Sequence, residues 1–183
     1  MGVAIAEEAD FRGADVTLIR TRGGSVSSFV ENQIEVETVE EMLAAIESEL
    51  KARRYDVVVL AAAVSDFCVK EKAQRKIKSG KSLTLELEPT PKIIDRVKEL
   101  QPDAFLVGFK AETARSEEEL VSAARKQIER AGSDLVVANT LNAFGSEENE
   151  VVLVGEDFVK KLPRMGKREL AERLWDEIIS ILG

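Results

Sequence analysis

A run of small residues that ends in a carboxylate is the first candidate for chemistry in this sequence. Ala61, Ala62 and Ala63 follow an apolar stretch, and Asp66 comes three residues later. Small side chains let a planar base or a ribose approach the backbone, and a carboxylate can bind base amines, ribose hydroxyls or Mg²⁺. The alternative, alanines packed beneath a helix that Asp66 caps, fits the bare sequence equally well.

Basic side chains supply a second candidate. Lys76 and Lys78 flank Ile77, so an extended backbone places both ammonium groups on one face. Such a pair could neutralise the charge that develops when a triphosphate loses pyrophosphate. Lys126 and Arg130, four residues apart on a predicted helix, are candidates for further phosphate contacts. A solvated surface is the commoner meaning of charges in both places.

An aromatic side chain follows a second apolar stretch. Ligands of open parallel sheets bind beyond the carboxyl ends of the strands, so the residues just after Leu60, Val107 and Val137 are the ones to examine. Phe109 lies in the second of these positions and is a candidate to stack on a base. An ordinary core position explains Phe109 equally well.

The residue types that are missing narrow the chemistry. The sequence has no histidine, which excludes a Ser/His/Asp triad, a Cys/His pair and the usual zinc sites. Its single cysteine, Cys68, excludes an internal disulfide and is interpreted as an inert buried thiol. Lysine, carboxylate, backbone amides and Mg²⁺ remain, and these are the groups that handle phosphates.

Charge and hydropathy limit the classes of partner and the cellular location that we expect for this protein. The 26 basic and 34 acidic residues give a net charge of -8, so we expect no nucleic acid partner. No apolar run approaches the roughly 20 residues that cross a bilayer, and the N-terminal stretch has Glu7 and Glu8 where a signal peptide would have a basic region. We therefore expect a cytoplasmic protein without a membrane partner. A length of 183 residues predicts one domain, residues 1–183.

Apolar periodicity and capping signals predict an α/β fold, a Rossmann-like parallel sheet with helices on both faces. We expect helices over 3–11, from Thr38, from Thr90-Pro91 with Pro91 as the first helical residue, from Ser116, and over 167–181. We expect strands at 15–19, 56–61, 83–87, 104–109, 134–138 and 151–154, and an irregular segment at 139–150. The strand at 56–61 should be central, because it is apolar on both faces, and those at 83–87 and 151–154 should be antiparallel additions.

Segments throughout the chain resemble one family in order and spacing. The most telling are AAAVSDF at 61–67, TPKI at 90–93 and VGFKAET at 107–113. Further matches lie at 1–6, 12–18, 76–78, 134–139, 144–149 and 167–171. The family is phosphopantothenoylcysteine synthetase, also called phosphopantothenate-cysteine ligase, a domain of the bifunctional flavoproteins of coenzyme A biosynthesis.

The resemblance implies a two-step ligase and its partners. CTP would activate 4'-phosphopantothenate as an acyl-cytidylate with loss of pyrophosphate, and the amine of cysteine would then displace CMP. Mg²⁺ would accompany the triphosphate, with Asp66 its one candidate protein ligand. The resemblance also implies a homodimer and a flavin-dependent decarboxylase, either fused to this domain or separate.

The resemblance assigns roles to individual residues. Lys76 would be catalytic, on a flap near the phosphates. The nucleotide-binding residues would be Ala61, Ala62, Asp66, Lys76, Pro91, Lys92, Ile93, Ile94, Phe109, Lys126 and Arg130. The match around Lys126 needs a shift of one residue, which makes Lys126 and Arg130 the least direct of these assignments.

Two departures from the family pattern leave alternatives open. Thr90-Pro91-Lys92 replaces the usual Asn-Pro-Asp, which leaves the preference for CTP over ATP undecided. The family pattern also begins before Met1 with a strand and a Ser/Gly-rich loop, so we expect a domain that is short at its N-terminus. A catalytically impaired nucleotide-binding fragment is therefore one alternative.

A reductase that binds NAD(P) is the other alternative, because a Rossmann-like sheet alone does not fix the chemistry. It is disfavoured because no Gly-x-Gly-x-x-Gly follows a predicted strand.

Overall fold

A computed structural model describes residues 1–71, 75–78, 80, 82–114, 116–140 and 148–183, and these form five helices and nine strands. The helices are α1 Gly2–Phe11, α2 Val39–Ala52, α3 Ile93–Leu100, α4 Glu117–Ala131 and α5 Lys167–Leu182. The strands are β1 Thr17–Thr21, β2 Asn32–Val36, β3 Val57–Leu60, β4 Phe67–Val69, β5 Leu87–Pro89, β6 Phe105–Glu112, β7 Leu135–Thr140, β8 Glu148–Gly155 and β9 Val159–Gly166.

The main sheet has five strands in the order β3-β6-β7-β8-β9. The first three are parallel, and β8 and β9 are antiparallel additions, which confirms the α/β class and the antiparallel 151–154 prediction. The prediction that the strand at 56–61 is central was wrong within this sheet, because β3 lies at its edge. Helices cover both faces of β3, so its residues are apolar on both sides even though it is an edge strand.

Two smaller sheets flank the main one in the described residues. Strand β1 pairs with β2 in parallel, and β4 pairs with β5 in antiparallel orientation. The sequence did not predict β2, β4 or β9, since each is short, charged or interrupted by proline and depends on a partner strand. The strand predicted at 83–87 was wrong in extent and partner, because β5 begins at Leu87 and pairs with β4 rather than the main sheet.

Helices cover both faces of the main sheet. On one face, α1 and α5 pack over Val107, Leu135 and Leu153, and the indole Nε1 of Trp175 donates to the carbonyl of Ile5 at 2.9 Å. On the other face, α2 and α3 cover β3 and β6, and α4 covers β7 and β8. The helix α2 also packs on β2, so it joins the small parallel sheet to the main one.

Local capping signals set most helix starts. Thr38 and Ser116 accept hydrogen bonds from the backbone N–H groups of Glu41 and Glu119 at 3.1 and 3.3 Å, as predicted. The prediction for α3 was wrong by two residues, because Pro91 precedes the N-cap residue Lys92. The hydroxyl of Thr90 donates to the carbonyl of Ser65 at 2.5 Å, which holds this segment against the chain before β4.

The segment predicted to be irregular at 139–150 is only partly described. Asn139 and Thr140 end β7, residues 148–150 begin β8, and 141–147 lie outside the described residues. Across the part of the chain that the structure covers, every helix is too short or too polar to cross a membrane.

Candidate functional site

The carboxyl ends of three parallel strands form one edge of the main sheet. Leu60, the last residue of β3, lies opposite Gly108 in the middle of β6, which lies opposite Val136 of β7. Strands β6 and β7 continue past this point to Glu112 and Thr140. Parallel strands that pair in register present the loops after them at the same edge. We call the region around the carboxyl end of β3 the strand-end site, made by residues 61–66, 90–95, 108–110 and 126–130.

The alanine segment divides into a packed and an accessible part. Ala61 is half-buried in the cluster beneath α1, and a Cβ added to Gly2 would lie 3.8 Å from its Cβ. Ala62 and Ala63 are exposed. The helix-packing interpretation therefore fits Ala61, while the backbone after it stays open beside the first turn of α1, where N–H groups favour anions.

Hydrogen bonds fix the turn that carries Asp66. The hydroxyl of Ser65 donates to the carbonyl of Phe67 at 2.7 Å, and the backbone N–H of Thr90 donates to the carbonyl of Asp66 at 3.0 Å. The side chain of Thr90 is buried and adds its bond to Ser65. These contacts hold the start of α3 beside the segment that comes after β3.

Asp66 and Lys92 meet as an ion pair at this junction. The hydrogen bond and charge of Lys92 lower the pKa of Asp66, and the charges of Lys110 and Arg130 lower it further. Asp66 is exposed, so water screens all three interactions. Lys110 and Arg130 also pair with Glu112 and Asp95, so each of the three cations here has a carboxylate partner. A phosphorylated ligand would compete with these carboxylates for the cations.

Gly108 permits a close approach between β6 and α4. A Cβ at Gly108 would lie 2.2 Å from Nε2 of Gln127 and 2.8 Å from Cδ1 of Ile94. The missing side chain therefore makes the room that Gln127 and Ile94 occupy. Sequence reasoning missed Gln127, although a glycine inside a strand was a signal that something packs against it.

Of the two basic residues on α4 that were predicted to contact phosphate, Lys126 and Arg130, the second contacts α3. Its Nη1 lies 3.4 Å from Oδ2 of Asp95, another residue that sequence reasoning missed. Lys126, one turn earlier, is exposed and borders an open groove of about 490 Å³ along α4 with Glu118 and Ser122. A nucleotide role for Lys126 stays a prediction.

The remaining predicted residues differ in burial. Ile93 is buried in the core beneath α3, and Phe109 is half-buried against the core beneath α1 and α5, which fits the ordinary-core interpretation of Phe109. Pro91 is exposed beside Lys92. Lys76 is exposed in the irregular stretch 75–78, and its place over the phosphates stays a prediction.

Known proteins resemble this chain over its whole length. The family model described as the DNA/pantothenate metabolism flavoprotein C-terminal domain matches residues 1–182. The coenzyme A biosynthesis bifunctional protein CoaBC of Thermococcus kodakarensis is 84% identical over 182 residues, which is 100% of this chain and 45% of that protein. The chain thus spans about half the length of the curated relatives it matches.

Solved structures agree with the fold. The DNA/pantothenate metabolism flavoprotein of Streptococcus pneumoniae has a TM-score of 0.83 at 26% identity, over 97% of this chain and 86% of that one. The C-terminal domain of a CoaBC protein has a TM-score of 0.77 at 28% identity, over 99% of this chain and 81% of that one. Because the family model matches nearly every residue, the chain belongs to the DNA/pantothenate metabolism flavoprotein C-terminal domain family.

Proposed function

We propose that residues 1–183 form one phosphopantothenate-cysteine ligase domain of coenzyme A biosynthesis. In the first step, a carboxylate oxygen of 4'-phosphopantothenate attacks the α-phosphorus of CTP, and pyrophosphate leaves. In the second step, the amine of cysteine attacks the acyl carbon of the cytidylate, CMP leaves, and the nitrogen loses a proton as the amide forms.

Family membership and the ionic groups of the strand-end site support this proposal. The relatives are named as coenzyme A biosynthesis bifunctional proteins. The observation that carries the proposal is the ion pair of Asp66 with Lys92, four residues after the exposed Ala62, with Arg130 near enough for its charge to act on Asp66. A nucleotide needs a carboxylate or backbone group for its nucleoside and cations for its phosphates, and this edge supplies both.

The predicted residues divide between the nucleoside and the phosphates. Ala61, Ala62 and Asp66 would hold the cytidine, and Pro91, Ile93, Ile94 and Phe109 would line its site. Lys92, Lys126 and Arg130 would face phosphate oxygens. Lys76 would act on the leaving pyrophosphate, because an ammonium on an exposed segment can approach charge that grows in the transition state.

Mg²⁺ is proposed to enter bound to the triphosphate. Asp66 was the candidate protein ligand, but its carboxylate is paired with Lys92 in this structure. A cation beside this carboxylate disfavours a protein-held metal ion there. When bound, Mg²⁺ would neutralise phosphate charge, and the choice of CTP over ATP remains part of the proposal.

A homodimer is proposed from apolar side chains beside β5. Leu83, Leu85 and Leu87 are 59%, 54% and 54% exposed and are spaced by two residues. Leucines so spaced lie on one side of an extended chain, and a contiguous apolar row of this kind favours pairing with a second copy.

The remaining partners belong to the same proposal. The flavin-dependent decarboxylase would be a fused or separate partner, and 4'-phosphopantothenate and cysteine would be the other substrates. A cytoplasmic location is proposed because these metabolites are made and used there.

The test compares nucleotide binding and turnover. We expect calorimetry to show saturable CTP binding, and we expect pyrophosphate release to depend on 4'-phosphopantothenate. ATP replaces CTP in a parallel reaction, and NADPH serves as the comparison for the reductase alternative. Oxidation of NADPH without CTP binding would contradict the ligase, whereas CTP binding without turnover would indicate an impaired fragment.

A further inference from the structure

Two buried polar atoms of the strand-end site have no hydrogen-bond partner among the described residues. They are Oδ1 of Asp95 on α3 and Nε2 of Gln127 on α4. An ionised carboxylate oxygen accepts hydrogen bonds, and an amide nitrogen donates them. Buried polar atoms are nearly always paired, so two unpaired atoms at one helix junction need an explanation.

The fold brings both side chains to the same place. Gln127 Nε2 and Ile94 Cδ1 both lie within 3 Å of the point where a Cβ of Gly108 would be. Asp95 follows Ile94 on α3, and its second oxygen contacts Arg130, which lies three residues after Gln127 on α4. Asp95 and Gln127 therefore lie on the sides of α3 and α4 that meet above β6.

A pair with one acceptor and one donor selects a neutral ligand group. A phosphate oxygen can accept from Gln127, but it has no hydrogen to donate to Oδ1 of Asp95, whose other oxygen already pairs with Arg130. A group that donates and accepts satisfies both atoms, as a hydroxyl does, or as an amine beside a ring nitrogen does. In a nucleotide, these groups are the ribose hydroxyls and the pairing edge of the base.

We infer that Asp95 and Gln127 form a neutral hydrogen-bonding subsite for the nucleoside part of the ligand. The inference rests on the proposed nucleotide function and adds two residues to it. Both polar atoms are shielded from solvent in the free protein, so the subsite requires the two side chains to turn toward the ligand when it binds. Turning gives each atom a hydrogen bond that it lacks in the free protein, and this gain favours binding.

Gln127→Leu tests the donor, with Glu129→Gln on the exposed side of α4 as the matched control. We expect Gln127→Leu to weaken CMP binding about fivefold to tenfold by calorimetry, the effect of one hydrogen bond. Its melting temperature should stay the same or rise, because an apolar side chain replaces a buried unpaired donor. Unchanged CMP affinity in Gln127→Leu would overturn the inference.

Asp95→Asn tests the acceptor if Gln127→Leu folds poorly, and it should weaken CMP binding while sparing pyrophosphate binding. Titrations with 2'-deoxyCMP, which lacks the ribose 2'-hydroxyl, and with UMP, which lacks the base amine, identify the nucleoside group that Gln127 contacts. The loss of affinity caused by Gln127→Leu should disappear for the nucleotide that lacks this group. An equal loss of pyrophosphate binding would assign both residues to the phosphates and refute the subsite. Failure of the wild-type protein to bind CMP or CTP would refute the proposed function itself.

Discussion

The ammonium group of Lys92 contacts the carboxylate of Asp66, which ties the N-terminal end of α3 to the segment after β3. These residues are 26 positions apart. The contact replaces a free carboxylate at the strand-end site with a neutral ion pair. A nucleotide phosphate that attracts Lys92 would release Asp66 for hydrogen bonds to the nucleoside.

Replacement of Lys92 should change the titration of Asp66. Lys92 is the largest cause of the lowered pKa of Asp66, whose ordinary value is 3.8. In Lys92→Met, we expect this pKa to rise toward 3.8, as measured by carbon-13 NMR of the carboxyl group. Lys51→Met, which breaks an ion pair with Glu47 on α2, is the control and should leave Asp66 unchanged.

The same pair has a predicted pH dependence. Because the folded protein favours the Asp66 carboxylate, its contribution to stability is fully present well above pH 3.8 and is lost as the pH falls through the lowered pKa. Exposure keeps this contribution small. Equal losses of stability on acidification in wild type and Lys92→Met would argue against the pair.

Lys76→Gln should slow the first chemical step far more than it weakens CTP binding. An ammonium that acts on the leaving pyrophosphate stabilises charge that is largest in the transition state. We expect a loss of about 3 kcal/mol, roughly two orders of magnitude in pyrophosphate release. Lys70→Gln, which removes the ion pair with Glu86 beside β4, is the control. If Lys76→Gln released pyrophosphate at the wild-type rate, the proposed role of Lys76 on a flap over the phosphates would be wrong.

Leu85→Glu should convert the proposed dimer to a monomer. A carboxylate in the exposed leucine row would have to be desolvated at an interface between copies. Sedimentation equilibrium should give twice the chain mass of 20.2 kDa for wild type and a single chain mass for the variant. Thr84→Glu, at the adjacent position, should remain dimeric. A monomeric wild type at tens of micromolar would refute the proposal.

Gly108→Ala should destabilise the fold at the strand-end site. Its Cβ would overlap Gln127 and Ile94 at 2.2 and 2.8 Å. Both atoms are the far ends of flexible side chains that can shift, so the cost should lie at the low end of the about 1–3 kcal/mol that overpacking causes, measurable by urea denaturation. The double variant with Gln127→Ala should recover part of the loss, whereas Gly2→Ala, whose Cβ would meet Ala61 at 3.8 Å, should change little. If Gly108→Ala were as stable as the wild type, the side chains of Gln127 and Ile94 would have moved aside without cost.

The sequence by itself determined the features that depend on neighbouring residues. Thr38 and Ser116 start helices because their side chains accept from N–H groups three residues away. The apolar runs before Ala61 and Phe109 became parallel strands, and parallel strands must end at one edge. The α/β class and the general position of the candidate site therefore followed from local signals.

Only the tertiary structure decided which side chains meet. The edge position of β3 and the strands β2, β4 and β9 depend on partner strands that no local pattern specifies. Gln127 rather than Lys126 reaches Gly108, because one residue turns a helix by about 100° and packing sets its rotation. The meeting of Lys92 with Asp66 likewise depends on Thr90, whose hydrogen bonds to Ser65 and Asp66 hold distant segments together.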